Sequence, residues 1–110
     1  METRQIQYFL EVAKREHVTE AAVALHVAQS SVSRQIFNLE EELGVKLFIR
    51  EGRSVKLTPL GRIFYERMKQ VWYLMEDAKR EVEENLNPEK GTVRIAFPIS
   101  MAAKSEAKRS

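Results

Sequence analysis

The sequence predicts a mainly α-helical fold carrying one short β-hairpin. Three features lead there. Apolar residues recur at three- and four-residue intervals through residues 4–43, the pattern switches to alternation around Gly52, and a helical stripe returns after Pro59 and continues to Asn87.

Ile6, Phe9, Leu10 and Ala13 fall at i, i+3, i+4 and i+7, which predicts an amphipathic first helix over residues 4–15. His17 and Val18 interrupt it. Thr19 is expected to cap a short second helix through Leu25, with Ala21, Ala22 and Leu25 facing inward and the small alanines permitting close helix approach. A brief turn at residues 26–28 leads into AQSSVSRQIFNLEEELG, residues 28–44. Here Val32, Ile36, Leu39 and Leu43 form one apolar stripe suited to burial, and Gly44 is a favoured residue just past a helix end. The opposite face begins with Ser30, Ser33 and Arg34 and ends with Glu41, a distribution that needs a reason.

In VKLFIREGRSVKLT, Val55 and Leu57 alternate with Ser54 and Lys56 after Glu51-Gly52-Arg53, which predicts a short hairpin with glycine at the bend. Thr58-Pro59 then supplies a capping hydroxyl and a proline at the first helical position, where its missing N–H costs nothing. The helix that follows meets no breaker except Gly61 in its first turn and should run about 40 Å. Its stripe of Phe64, Met68, Val71, Trp72, Met75, Ala78, Val82 and Leu86 is longer than a domain of about 58 residues can cover, so a second copy of the chain is the simplest partner. After Gly91, TVRIAF reads as a strand, and a lone strand cannot satisfy its backbone. The expected organisation is therefore a first domain at 1–58, a linker or dimerisation helix at 59–88, and at 89–110 a hinge with the start of a second domain that is absent.

The chain has 110 residues, 44% of them hydrophobic, enough for one compact domain plus an appendage. It has no cysteine, hence no disulfide framework or thiolate metal site, and no apolar run approaching the roughly 20 residues that span a bilayer. A soluble cytoplasmic protein without membrane partner, metal or cofactor is expected. His17, His26 and Asp77, the only histidines and aspartate, form no triad, metal set or carboxylate dyad, so no enzyme is expected and both histidines read as packing or capping residues. Charge is unevenly spread. Residues 45–69 carry seven basic against two acidic side chains, whereas residues 70–91 carry three against six, which points to one region facing a polyanion.

Two short helices, a tight turn, a third helix that starts with small polar residues and an arginine, and a basic hairpin compose the pattern of a winged helix-turn-helix. In that pattern the start of the third helix enters the major groove of duplex DNA, placing Gln29, Ser30, Ser31, Ser33 and Arg34 near bases and phosphates. Arg34 suits guanine O6 and N7, and Gln29 suits adenine N6 and N7. Arg53 at the hairpin tip can enter a narrow minor groove, with Arg50 and Lys56 placed for phosphates. Read alone, the serines serve equally as ordinary helix-start residues and the hairpin charges as guards of a sheet edge; their combination favours DNA. A homodimer through the long helix, with Phe64, Met68, Val71, Trp72, Met75, Ala78 and Val82 as its seam, implies a partly palindromic site with half-sites about one helical turn or a multiple apart. The rival reading, a coiled-coil interaction module with an acidic surface at residues 76–84, explains the long helix but neither the serine–arginine start nor the basic hairpin.

The stretch AAVALHVAQSSVSRQIFNLEEELGVKLFIREGRSVKLTPLG resembles the N-terminal DNA-binding region of LysR-type bacterial transcriptional regulators, whose pattern is AA..L..SQ..VS.QI..LE..LG..LF.R..R...LT..G. The likeness covers residues 1 to about 90 with nearly gapless spacing and, within the family, is somewhat similar to Gram-positive activators of glutamate synthase operons. It implies a winged helix-turn-helix, a linker helix paired antiparallel with its partner's, and a C-terminal effector-binding domain entered after Gly91. It also implies Gln29, Ser30, Ser33 and Arg34 in base and phosphate contacts and Arg53 in the wing, a tetramer as an option for a full-length form, and a small-molecule effector site absent from this chain. Two departures stand out. Ala28 replaces the usual capping Ser or Thr at a cost of about 1 kcal/mol, and Phe37 stands where the family usually accepts a small residue.

Overall fold

The computed structural model describes residues 1–86, so the expected strand at 92–97 and the whole 89–110 segment lie outside the described residues. Its elements are α1 (Thr3–Arg15), α2 (Val18–Leu25), α3 (Gln29–Leu43), β1 (Phe48–Glu51), β2 (Ser54–Leu57) and α4 (Pro59–Leu86). Met1–Tyr73 forms one compact unit that takes in the opening turns of α4; the described part of the second, from Leu74, is helix throughout.

The expected apolar spacing of the first and third helices turns into burial. Phe9, Val12, Val32, Leu39 and Leu47 are almost fully enclosed, joined by Ala21, Ala22, Ile36 and Val55. Each such large side chain stabilises the fold by about 1.5–3 kcal/mol. Phe9 is the hub, its ring 5.4 Å from that of Phe48 and 5.2 Å from that of Phe64, in tilted packing. Phe64, half-buried, thus packs against this chain's own core: helical spacing marks a side chain for burial without saying which neighbour buries it.

Two expectations need correction. Glu16 takes a left-handed conformation (φ 56°) and ends α1 by donating its N–H to the Val12 carbonyl at 2.7 Å. The chain reverses there so tightly that His17 is the one extended residue before α2, and His17 Nδ1, not a Thr19 hydroxyl, accepts the hydrogen bond from Glu20 N at 3.1 Å. An imidazole nitrogen does the work usually given to a small oxygen. Leu43, expected in the buried stripe, is 37% exposed, because the chain turns away at Gly44 (φ 75°) and Leu47 fills the core beyond Leu39.

The hairpin forms with Glu51 opposite Ser54 and Gly52 at φ 62° in the two-residue turn. Val55 N donates to the Glu16 carbonyl at 3.0 Å, docking β2 on the end of α1. Thr58 governs the entry to α4: its Oγ1 donates to the Lys46 carbonyl at 2.8 Å and accepts from Gly61 N at 2.9 Å, while its own N–H reaches the Leu47 carbonyl at 2.9 Å. The Glu40 carboxylate binds the same crossing from the other side, accepting from Leu47 N at 2.7 Å and Phe48 N at 3.3 Å through Oε2. These bonds set the hairpin at a fixed position beside α3.

Candidate nucleic-acid interface

The start of α3 is held by its inner side and left open on its outer side. Val32, Ile36 and Leu39 are buried, whereas Gln29, Ser30, Ser31, Ser33 and Arg34 are all exposed. Ala28 offers no side-chain cap; its carbonyl accepts from Ser31 N at 3.0 Å and Val32 N at 3.3 Å, while the N–H groups of Gln29 and Ser30 have no acceptor among the described residues and with the helix dipole form a positive end. The turn before it is fixed by His26 at φ 61° and by Val27 N donating to the Ala22 carbonyl at 3.1 Å, so the angle between α2 and α3 is set by backbone bonds.

The exposed side chains divide between two concavities. On one side of α3, Ser30, Ser31 and Arg34 line a cleft of about 310 Å³ with Arg4 and Tyr8 of α1. On the other, Ser33 and Phe37 line, with Ile49 and Arg50, a crevice of about 440 Å³ between α3 and the hairpin, floored by Val12, Ile36 and Val55. Phe37 is 53% exposed there, with Lys46 Nζ 6.0 Å from its ring.

The wing cations are separated by the strand register. Arg50 pairs with Val55 and Ile49 with Lys56, so successive residues of β1 point to opposite faces: Arg50 lies on the α3 side and Lys56 on the outer side. Arg53 occupies the turn. Lys56 sits 3.5 Å from the Glu16 carboxylate, an exposed pair worth little to stability. Arg34, Arg50 and Arg53 have no hydrogen-bond or ion-pair partner among the described residues. One of these unpaired guanidiniums is on α3, one lines the crevice with Ser33 and one is in the hairpin turn, and each is free to bind an external anion.

Comparison with known proteins decides the family. Residues 3–62 match the model for bacterial regulatory helix-turn-helix proteins of the lysR family. The chain belongs to the LysR family. It is 57% identical over 103 residues to the transcriptional dual regulator GltC of Bacillus subtilis (strain 168), covering 94% of this chain and 34% of that protein. It is 40% identical to the transcriptional regulator BsdA of the same organism, covering 94% of this chain and 36% of the relative. The chain thus spans about a third of the length of these curated relatives. Among solved structures it is similar to the BenM DNA-binding domain in complex with benA site 1 DNA, with TM-score 0.71, 40% identity and coverage of 76% of this chain and 96% of that one. It is similar also to the DNA complex of the CbnR DNA-binding domain, with TM-score 0.72, 34% identity and coverage of 79% and 100%. The winged helix-turn-helix with a long following helix is therefore the architecture of this LysR-family chain, and the relatives named here are transcriptional regulators. Among the described residues, no helix is long and apolar enough to cross a membrane.

Sequence reasoning missed several residues of this face and its supports. Arg4 carried no signal, since nothing in its local pattern ties the start of α1 to that of α3. Glu40 was hidden in a run of three glutamates; only the fold distinguishes the one whose side chain is 10% exposed and anchors β1. On α4, Leu60 and Ile63 are 53% and 62% exposed in the first unit and Leu74 is 64% exposed in the second, all outside the expected seam, while Met68 and Trp72 are half-buried.

Proposed function

We propose that the chain binds double-stranded DNA sequence-specifically as a homodimer in the bacterial cytoplasm, with the start of α3 in the major groove and the wing beside the minor groove. The observation that carries the reading is the two-sidedness of α3: five exposed polar residues at its leading end, backed by three buried aliphatics that hold the helix still. Ser30, Ser31 and Ser33 are short enough to let the backbone approach base edges, and Arg34 supplies a bidentate donor for guanine. Arg50, on the α3 side of the hairpin, addresses the phosphates between the grooves, Arg53 the minor groove, and Lys56 a phosphate on the outer side. Arg4, sharing its cleft with Arg34, joins them as a further phosphate ligand. Self-association would use α4, whose Val71 and Met75 are each 40% exposed and Val82 60% exposed, together with Ala78. The interaction-module alternative finds no support among the relatives.

The experiment is selection of bound sequences from a random duplex pool, followed by titration of the best duplex at several salt concentrations. The reading expects a partly palindromic consensus and a log affinity that falls steeply with log salt. Salt-insensitive association without duplex preference would sink it.

A further inference from the structure

We infer that Thr19 is a positioning residue for base recognition: its hydroxyl holds the Gln29 carboxamide so that the amide nitrogen faces outward and reads an acceptor edge of a base. The inference rests on the duplex-binding reading above and deepens it.

A glutamine at the first position of a recognition helix is ambiguous by itself. Its carboxamide has two ends of nearly equal size and opposite hydrogen-bonding character, and a half-turn of the terminal torsion exchanges them. Left free, Gln29 would accommodate donor and acceptor edges alike. In this fold it is not free. Thr19, in the first turn of α2, donates its hydroxyl hydrogen to Gln29 Oε1 at 3.0 Å. Oε1 thereby faces Thr19, and the two Nε2 hydrogens, which have no partner among the described residues, are left for solvent or ligand. In the major groove guanine offers O6 and N7, adenine N7 and thymine O4 as acceptors, whereas cytosine presents only its N4 donor. A carboxamide held donor-outward therefore rejects cytosine, and this replaces the bidentate adenine contact that residue type alone suggests.

The same bond could be taken as a tether between α2 and α3. Yet both side chains are exposed, and the two helices are already joined by buried Ala21, Ala22 and Val32 and by the backbone bond from Val27 to Ala22. A tether would act on stability or on all duplexes equally; an orienting bond acts on one base position.

Selection from a random duplex pool with the wild-type chain, Gln29→Ala, Thr19→Val and Thr19→Ser separates the cases. Valine keeps the branched shape and removes the donor; serine keeps the donor. The expected result is that Gln29→Ala marks the position it reads, that Thr19→Val loses about tenfold of the discrimination against cytosine there, and that Thr19→Ser retains it. The salt slope and melting midpoint should stay at wild-type values in all three. A Thr19→Val profile superimposable on wild type, or a loss spread evenly over all sequences, overturns the inference while leaving duplex recognition standing. A wild-type chain without any duplex preference overturns both.

Discussion

Gly61→Ala should be the most damaging single-methyl change in the first unit. A Cβ built at Gly61 would lie 2.1 Å from the Leu47 carbonyl oxygen, 2.9 Å from its carbon and 3.1 Å from the Leu47 Cα. All three are backbone atoms of a residue that is 1% exposed, so neither side can yield by rotating a side chain. Relief requires α4 to withdraw by roughly an ångström, a shift at which packed contacts lose much of their attraction. The withdrawal would strain the three Thr58 bonds to Lys46, Leu47 and Gly61 and pull Phe64 from Phe9. Overpacking costs about 1–3 kcal/mol and a weakened hydrogen bond about 1 kcal/mol, while the helical preference of alanine over glycine returns less than about 1 kcal/mol. The net loss is about 1–4 kcal/mol, which for a domain of this size lowers Tm by on the order of 5–20 °C. Gly52→Ala is the control, since a Cβ there meets nothing within 4 Å and is penalised only through φ 62°, by about 1–2 kcal/mol. Thermal unfolding followed by circular dichroism at one fixed protein concentration compares them. A Gly61→Ala chain that melts at or above Gly52→Ala would refute the packing argument.

Other consequences follow from the same geometry. Glu40→Ala leaves Leu47 N and Phe48 N without their acceptor and should cost about 2–3 kcal/mol, with Glu40→Gln recovering part of it; urea unfolding midpoints at neutral pH measure both. Arg34→Ala should relax base preference at one position by about 1–3 kcal/mol, which competition among single-base variants of the selected duplex reads directly. Lys56→Ala should weaken every duplex alike and flatten the salt dependence by about one unit of slope; because Lys56 is already shared with Glu16, its loss should be milder than that of Arg53→Ala under the same titration. Val71→Glu and Val82→Glu should each weaken self-association by at least about tenfold, visible as a shift toward monomer in sedimentation equilibrium, and an unchanged mass would remove α4 from the interface.

What the sequence could reveal and what it could not divide along a physical line. Periodic burial is a local property, so the helices and the hairpin were legible from Ile6, Phe9, Val32, Ile36 and Leu39 and from the alternation around Gly52. Partner choice is not local. The spacing that marks Phe64 for burial is the same whether Phe9 or a second chain receives it, and only the crossing of α4 over Leu47 brings it against Phe9. A capping role for His17 was among the readings its residue type allowed, but that it and not Thr19 caps α2 depends on Glu16 entering the left-handed region, which few non-glycine residues do. The polar face of α3 was readable as residue types, but that Arg50 shares a crevice with Ser33 while Lys56 looks the other way follows from a strand register that no single residue announces.

The charge distribution along α3 acquires a reason from these contacts. Towards its leading end, in the second turn, Arg34 is a cation without a hydrogen-bond or ion-pair partner among the described residues. At its far end the acidic run is in use: Glu40 binds two backbone N–H groups of the α3-to-β1 crossing with Lys46 Nζ 3.8 Å away, and Glu42 receives the amino group of Met1 at 2.9 Å. Two of the three anions at that end have partners within the protein, and the arginine at the other end has none among the described residues. Were the acidic run merely a tolerated solvent face, Glu40 could be exchanged for lysine without harm. The geometry instead demands that Glu40→Lys move the wing relative to α3 and so reduce duplex binding beyond what one added positive charge, which by itself favours a polyanion, would permit.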